Sequence, residues 1–242
     1  MANRSPTERF PIRLKRAVLA GLAMLALGGL AKPACAAEIY IDNVQLFYSE
    51  NVNITGTVDG ASVNVTGALA GQIVLTVNNG NSSSTSQYIL PVWCVDLFHD
   101  ISLGASGIIY SLGGLDTDNS NSPTVLSAQQ INEMTALAVY GNQQMALNPS
   151  NLLSAEVQAA IWTVEYSNGS GNSLSISSSN FTPTTIANLI ATAGQGNGAA
   201  IQLIAMNGTQ ALIDPVPEPA SVGLLVAGLL GLGFARRRKR LR

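Results

Sequence analysis

Between Glu38 and Pro219 the sequence has no lysine and no arginine. Ordinary usage of about 25% charged residues predicts roughly twenty basic side chains over such a length. All twelve basic residues lie near the ends, six before residue 33 and six after residue 235, and of the fourteen acids only Glu8 is outside the middle. The middle carries thirteen acids and no base, so nucleic acid and anionic membrane surfaces are poor partners for it. Histidine is almost as scarce: His99 is the only one in the chain, and cysteine is limited to Cys35 and Cys94. One thiol and one imidazole fall short of the usual zinc ligand set, so no metal and no cofactor are expected.

The basic ends flank apolar runs. Arg4, Arg9, Arg13, Lys15 and Arg16 precede "AVLAGLAMLALGGL" (Ala17 to Leu30), and "ACA" (Ala34 to Ala36) offers small residues for cleavage. The run is short of the roughly 20 residues that span a bilayer, so residues 1–36 read as a signal peptide whose removal takes Cys35 with it. Lys32 and Pro33 do not suit the alternative of a lipoprotein acylated at Cys35. At the other end, Pro215, Pro217 and Pro219 precede an apolar run from Ala220 to Ala235 and six basic residues. Physically this is a stop-transfer anchor, a transmembrane helix whose basic tail stays cytoplasmic.

The triplet Pro217-Glu218-Pro219, the Gly/Leu-rich helix and the Arg-rich tail, together residues 215–242, resemble the PEP-CTERM sorting signal of Gram-negative bacteria that make exopolysaccharide. That resemblance implies an inner-membrane-anchored intermediate, cleavage by an exosortase-type protease, and delivery to the cell surface or extracellular matrix.

Residues 37–214 remain, enough for one domain with a core of its own. From Ile39 to about Leu112 the pattern is β: "IYIDNVQLFYS", "NVNITGTV", "ASVNVTG", "GQIVLTVNN", "QYILPVWCVDLF" and "GIIYSL" are rich in Val, Ile, Thr and Tyr, with Asn, Gly and Ser between them. After the loop Gly113 to Thr124 the periodicity becomes helical. Ser127 and Gln130 have capping-box spacing for a helix ending near Gly141, with Ile131, Met134, Ala138 and Val139 on one stripe. Ser154 is the expected N-cap of a second helix, in which Val157, Ala160, Ile161 and Val164 share a face, and Thr182-Pro183 starts a third. "AAIQLIAMNGTQALID" reads as a hairpin turning at Asn207-Gly208 or as a short helix. The expected class is α+β, an antiparallel β-sandwich or barrel with an attached helical subdomain.

Cys94 and His99 share the stretch "PVWCVDLFHD". If Trp93 to His99 is a strand, the two point to opposite faces, roughly 17 Å apart at about 3.3 Å per residue, which disfavours a cysteine hydrolase. Asp96 and Asp100 would share Cys94's face, and carboxylates raise a thiol's pKa. On the second helix Gln158 has Ile161 and Trp162 one turn away, and burying a primary amide without partners costs a few kcal/mol. The ordinary reading of Gln158 is an amide satisfied by backbone groups.

"WCVD" (Trp93 to Asp96) and "VQAAIW" (Val157 to Trp162) resemble the aromatic-Cys-Ile/Val-Asp and Thr/Val-Gln-x-Ala-Ile-Trp motifs of thioester domains in bacterial surface adhesins. Trp93 stands for the commoner Tyr and Val95 for the commoner Ile. The resemblance implies an internal thioester in which Cys94 supplies the sulfur and Gln158 the acyl group, open to attack by an amine-bearing surface ligand such as a protein lysine or a polyamine. Trp162 is then a candidate shield against hydrolysis, and Asp96 a candidate for orienting the site or accepting the amine's proton. Such a protein reacts once per molecule and is not a turnover enzyme. A body without lysine offers its own electrophile no side-chain amine, and it also lacks the partner for Lys-Asn isopeptide bonds. The alternative is a non-covalent structural protein of the exopolysaccharide or biofilm matrix with a free Cys94.

Overall fold

The computed structural model describes residues 38–78, 87–114, 126–167, 171–196, 199–205 and 210–216. The signal peptide, the apolar run and basic tail after Pro219, and the Asn207-Gly208 turn lie outside them.

Strand β1 (Glu38–Val58) and strand β2 (Ala61–Asn78) form a long antiparallel hairpin. Its two-residue turn is Asp59-Gly60, with φ of 50° and 79°. Both left-handed values suit a type I′ turn, the geometry whose twist matches that of the flanking strands. Four expected strands are therefore two: the polar stretches around Asn51 and Gly67 do not interrupt the ladder. Register shifts at Ile41/Asn43, Leu46/Tyr48 and Val52/Asn53 absorb extra residues as bulges and bend the ribbon.

That bend lets the sheet close. Strand β3 (Gln87–Cys94) pairs with β2, and strand β4 (Ile108–Gly113) pairs with the start of β1. The last two strands, β6 (Ala199–Ala205) and β7 (Leu212–Val216), pair antiparallel with each other and bridge β4 to β3. The ring β1-β2-β3-β7-β6-β4 is thus a closed antiparallel barrel. Of the two readings of residues 199–214, the hairpin holds. Strand β5 (Ser173–Ser177) adds to the far half of β1, where a Cβ on Gly56 would lie 1.8 Å from the Ser173 carbonyl oxygen. Closure gives one sheet curled on itself, so the sandwich alternative is not the arrangement found.

Among the described residues two helices pack on the barrel, α1 (Ala128–Leu147) and α2 (Asn151–Glu165), and a third, α3 (Pro183–Ala193), packs on those helices and on β5. The capping box of Ser127 and Gln130 and the Thr182 cap followed by Pro183 are as expected. Two boundaries differ. Helix α1 runs six residues past Gly141, because that glycine receives the Trp93 indole, whose Cζ2 would stand 2.4 Å from a Cβ there. Helix α2 is capped by Ser150, not Ser154; the Ser154 hydroxyl is buried and instead accepts the Gln72 backbone N–H at 2.7 Å. Beside it the Asn142 carbonyl oxygen accepts from Gln72 Nε2 at 2.7 Å and Trp93 Nε1 at 2.9 Å, while its amide donates to the Pro91 carbonyl at 3.2 Å. This polar knot holds β2, β3, α1 and α2 in one register, and the apolar core around it includes Ile41, Leu75, Leu137, Ile161 and Leu203. Truncating a fully buried leucine such as Leu137 to alanine costs about 2–5 kcal/mol. All described residues belong to one compact unit, and no helix among them is long and apolar enough to cross a membrane.

Candidate functional site

Strand β3 ends at Cys94, and that ending shapes the site. The last ladder pairs are Trp93 with Ile213 and Cys94 with Leu212, after which the Val95 N–H still reaches the Ala211 carbonyl at 3.0 Å. Beyond it the chain turns back on itself. The Cys94 thiol donates to the Asp96 carbonyl oxygen at 2.9 Å, and the sulfur accepts the Asp96 backbone N–H at 3.3 Å.

Helix α2 presents Gln158 to this turn. Its Oε1 accepts the Cys94 backbone N–H at 2.9 Å, and its Nε2 donates to the Cys94 carbonyl at 2.8 Å. Cys94 is 2% exposed and Gln158 1%. The carboxamide is therefore paired at both ends with the backbone of the residue whose side chain is the thiol. One turn further, the Trp162 indole N–H donates to the same sulfur at 3.4 Å. All three residues line a cavity of about 430 Å³.

Burial pushes the Cys94 thiol well above its ordinary range. Hydrogen bonds from the Trp162 indole and the Asp96 backbone work against that, and the negative charges of Glu165 and Asp96 add to it. At neutral pH the sulfur is consequently a thiol. An enzyme's nucleophile is normally arranged the other way, with a depressed pKa.

The sequence-based picture of Asp96 and His99 changes. Because the strand stops at Cys94, side-chain alternation does not extend to His99, and the opposite-face reasoning loses its premise. Asp96 is fully buried, with Oδ1 accepting the Phe98 N–H at 2.9 Å and Oδ2 bonded to His99 Nδ1 at 2.7 Å. His99, one third exposed, is thus bound to the aspartate of the turn and not to the thiol. Asp96 touches the sulfur through its backbone, so of its two candidate roles the orienting one has contacts behind it. Among the described residues no group of three or more His, Cys, Asp or Glu side chains is placed to hold a metal.

Three further residues support the site. Gln210 donates from Nε2 to the Asp96 carbonyl at 2.8 Å, and the Tyr166 hydroxyl accepts the Leu97 N–H at 3.2 Å while its ring meets Phe98 edge-on at 5.4 Å. Gln130 joins the C-terminal end of α2 from α1, donating to the Val164 and Glu165 carbonyls at 2.8 and 3.0 Å. Only Gln130 had a local signal, and that signal was for capping.

Pro215 and Val216 end strand β7, opposite Ala200 and Ala199, so the sorting segment starts inside the last strand; Pro217, Glu218 and Pro219 lie outside the described residues. No curated protein and no solved structure matches the chain. Residues 215–239 match the PEP-CTERM protein-sorting motif, which marks the chain as an exported protein processed by exosortase.

Proposed function

We propose that this protein forms an internal thioester between Cys94 and Gln158 and uses it to attach covalently to amine-bearing targets at the cell surface or in the extracellular matrix. The observation that carries the reading is the two-point pairing of the Gln158 carboxamide with the Cys94 backbone, beside a buried sulfur. Sulfur attacks the carboxamide carbon, a C–S bond forms, the C–N bond breaks, and ammonia leaves with the thiol's proton. The Cys94 N–H, already on Oε1, stays hydrogen-bonded to that oxygen as negative charge develops there, the role of an oxyanion-hole donor. An external amine then attacks the same carbon; the C–S bond breaks, the sulfur takes up the proton the nitrogen loses, and an amide remains. Trp162 covers the sulfur and Asp96 orients it through its backbone.

The destination fits a PEP-CTERM substrate, and a matrix of exopolysaccharide is the proposed setting. A second reading draws on the same contacts. A carboxamide with both atoms paired to backbone, next to a thiol that burial keeps protonated, is also what a purely structural core needs. In that case the protein is a non-covalent matrix component with a free Cys94.

Intact mass of the purified mature domain separates the two. The thioester form is lighter than calculated by one ammonia, resists thiol alkylation under denaturing conditions, and gains methylamine at Gln158; Cys94→Ala shows neither the deficit nor the gain. Full calculated mass with an alkylatable Cys94 in freshly folded protein would sink the thioester and leave the structural reading.

A further inference from the structure

The cavity over the reactive pair is graded from dry to wet. Cys94, Gln158 and Trp162, each no more than 3% exposed, form its closed end, whereas Asp100 and Leu103 are exposed. Half-buried Leu46, Leu97 and Ile101 line the wall. Among the described residues Asp100 is the only charged one in the lining. A cation entering this cavity meets one carboxylate in the wall, at the solvent side; the buried carboxylates of Asp96 and Glu165 act on the closed end only from behind the lining.

A simple alkylamine is poorly served by that layout. Its single nitrogen is protonated in water; Asp100 favours the protonated form and holds it at the solvent end, away from the carbonyl it must attack as a neutral amine. A molecule with two amines separated by methylenes does not face the conflict. One ammonium stays on Asp100, the chain lies along the leucine and isoleucine wall, and the other nitrogen is delivered to the closed end, where burial, the largest influence on the neighbouring Cys94, favours its neutral form against the opposing charges of Asp96 and Glu165. We infer that the site is built for aliphatic diamines, with Asp100 as the specificity-determining residue that holds the non-reacting ammonium. This rests on the thioester reading. In the step itself the free nitrogen bonds to the Gln158 carbonyl carbon, the C–S bond breaks, and the proton lost by that nitrogen goes to Cys94. The ammonium on Asp100 is unchanged.

The test compares 1,4-diaminobutane with butylamine on the intact mature domain at neutral pH, following adduct formation by mass. Cleavage by hydroxylamine reports separately, in each variant, that the thioester is present. The diamine reacts about fivefold faster in the wild type, the scale of one partly exposed ion pair. Added salt shrinks the preference, Asp100→Asn removes it, and Asp100→Glu retains it. Equal rates for the two amines in the wild type, or an unchanged preference in Asp100→Asn, overturn the assignment of Asp100 while leaving the thioester standing. Full calculated mass with no response to hydroxylamine overturns both.

Discussion

Two buried glutamines on neighbouring helices have different surroundings. Gln130, at the start of α1, accepts the Ser127 N–H at 3.0 Å and its hydroxyl at 2.9 Å, and donates to two carbonyls at the end of α2. Gln158, in the middle of α2, is bonded at both amide atoms, but both bonds go to one residue, and that residue carries a thiol. Burial and bonding at both amide atoms are therefore common to the structural glutamine and to the one proposed to react. What differs is the presence of a nucleophile beside the carbonyl and a cavity through which an amine can reach it.

The largest effect that would break this contrast is all-or-none. Gln158→Ala or Cys94→Ala abolishes methylamine uptake, while Gln130→Ala retains it, read by intact mass. Next comes stability. The proposed thioester would join positions sixty-four residues apart and restrict the unfolded chain, for which the loop-closure relation for crosslinks gives about 4 kcal/mol. Opening the thioester with methylamine lowers the unfolding free energy in urea by up to that amount, and the same treatment leaves Cys94→Ala unaffected. Gln130→Ala costs less, about 1–3 kcal/mol from unpaired buried groups, and its loss is the same before and after methylamine.

The smallest effect is a pH dependence. In Gln158→Ala no thioester forms, and burial holds the folded thiol's pKa above its unfolded value. The unfolded state then loses its proton first. The contribution to stability is full below the unfolded thiol's pKa of about 8.5 and declines as pH rises from there toward the folded value. Urea titrations at rising alkaline pH show that decline in Gln158→Ala and not in Gln158→Ala combined with Cys94→Ala.

Much of the scaffold was legible because it is local. The β-to-helix change after residue 124, the Ser127 capping box and the Thr182-Pro183 start depend on neighbours a few residues apart. Errors arose where distant parts override local preference. Gly141 would ordinarily end a helix, yet the Trp93 indole needs the space its missing Cβ leaves. Ser154 has the chemistry of an N-cap, but β2 claims its hydroxyl. The opposite-face argument for His99 was conditional on a strand reaching it, and that strand stops five residues earlier, where the Cys94 sulfur bonds across the turn at Asp96.

The sequence by itself determined the charge partition, the sorting signal, the α+β succession and the two short motifs that hold Cys94 and Gln158, since each is written within a window of residues. Only the tertiary structure decided that the strands close into a barrel, that the Gln158 carboxamide lies on the Cys94 backbone, and that Asp100 stands at the open side of the cavity above them. Those depend on bulge-induced curvature and on contacts between residues far apart in the chain, which no local periodicity records.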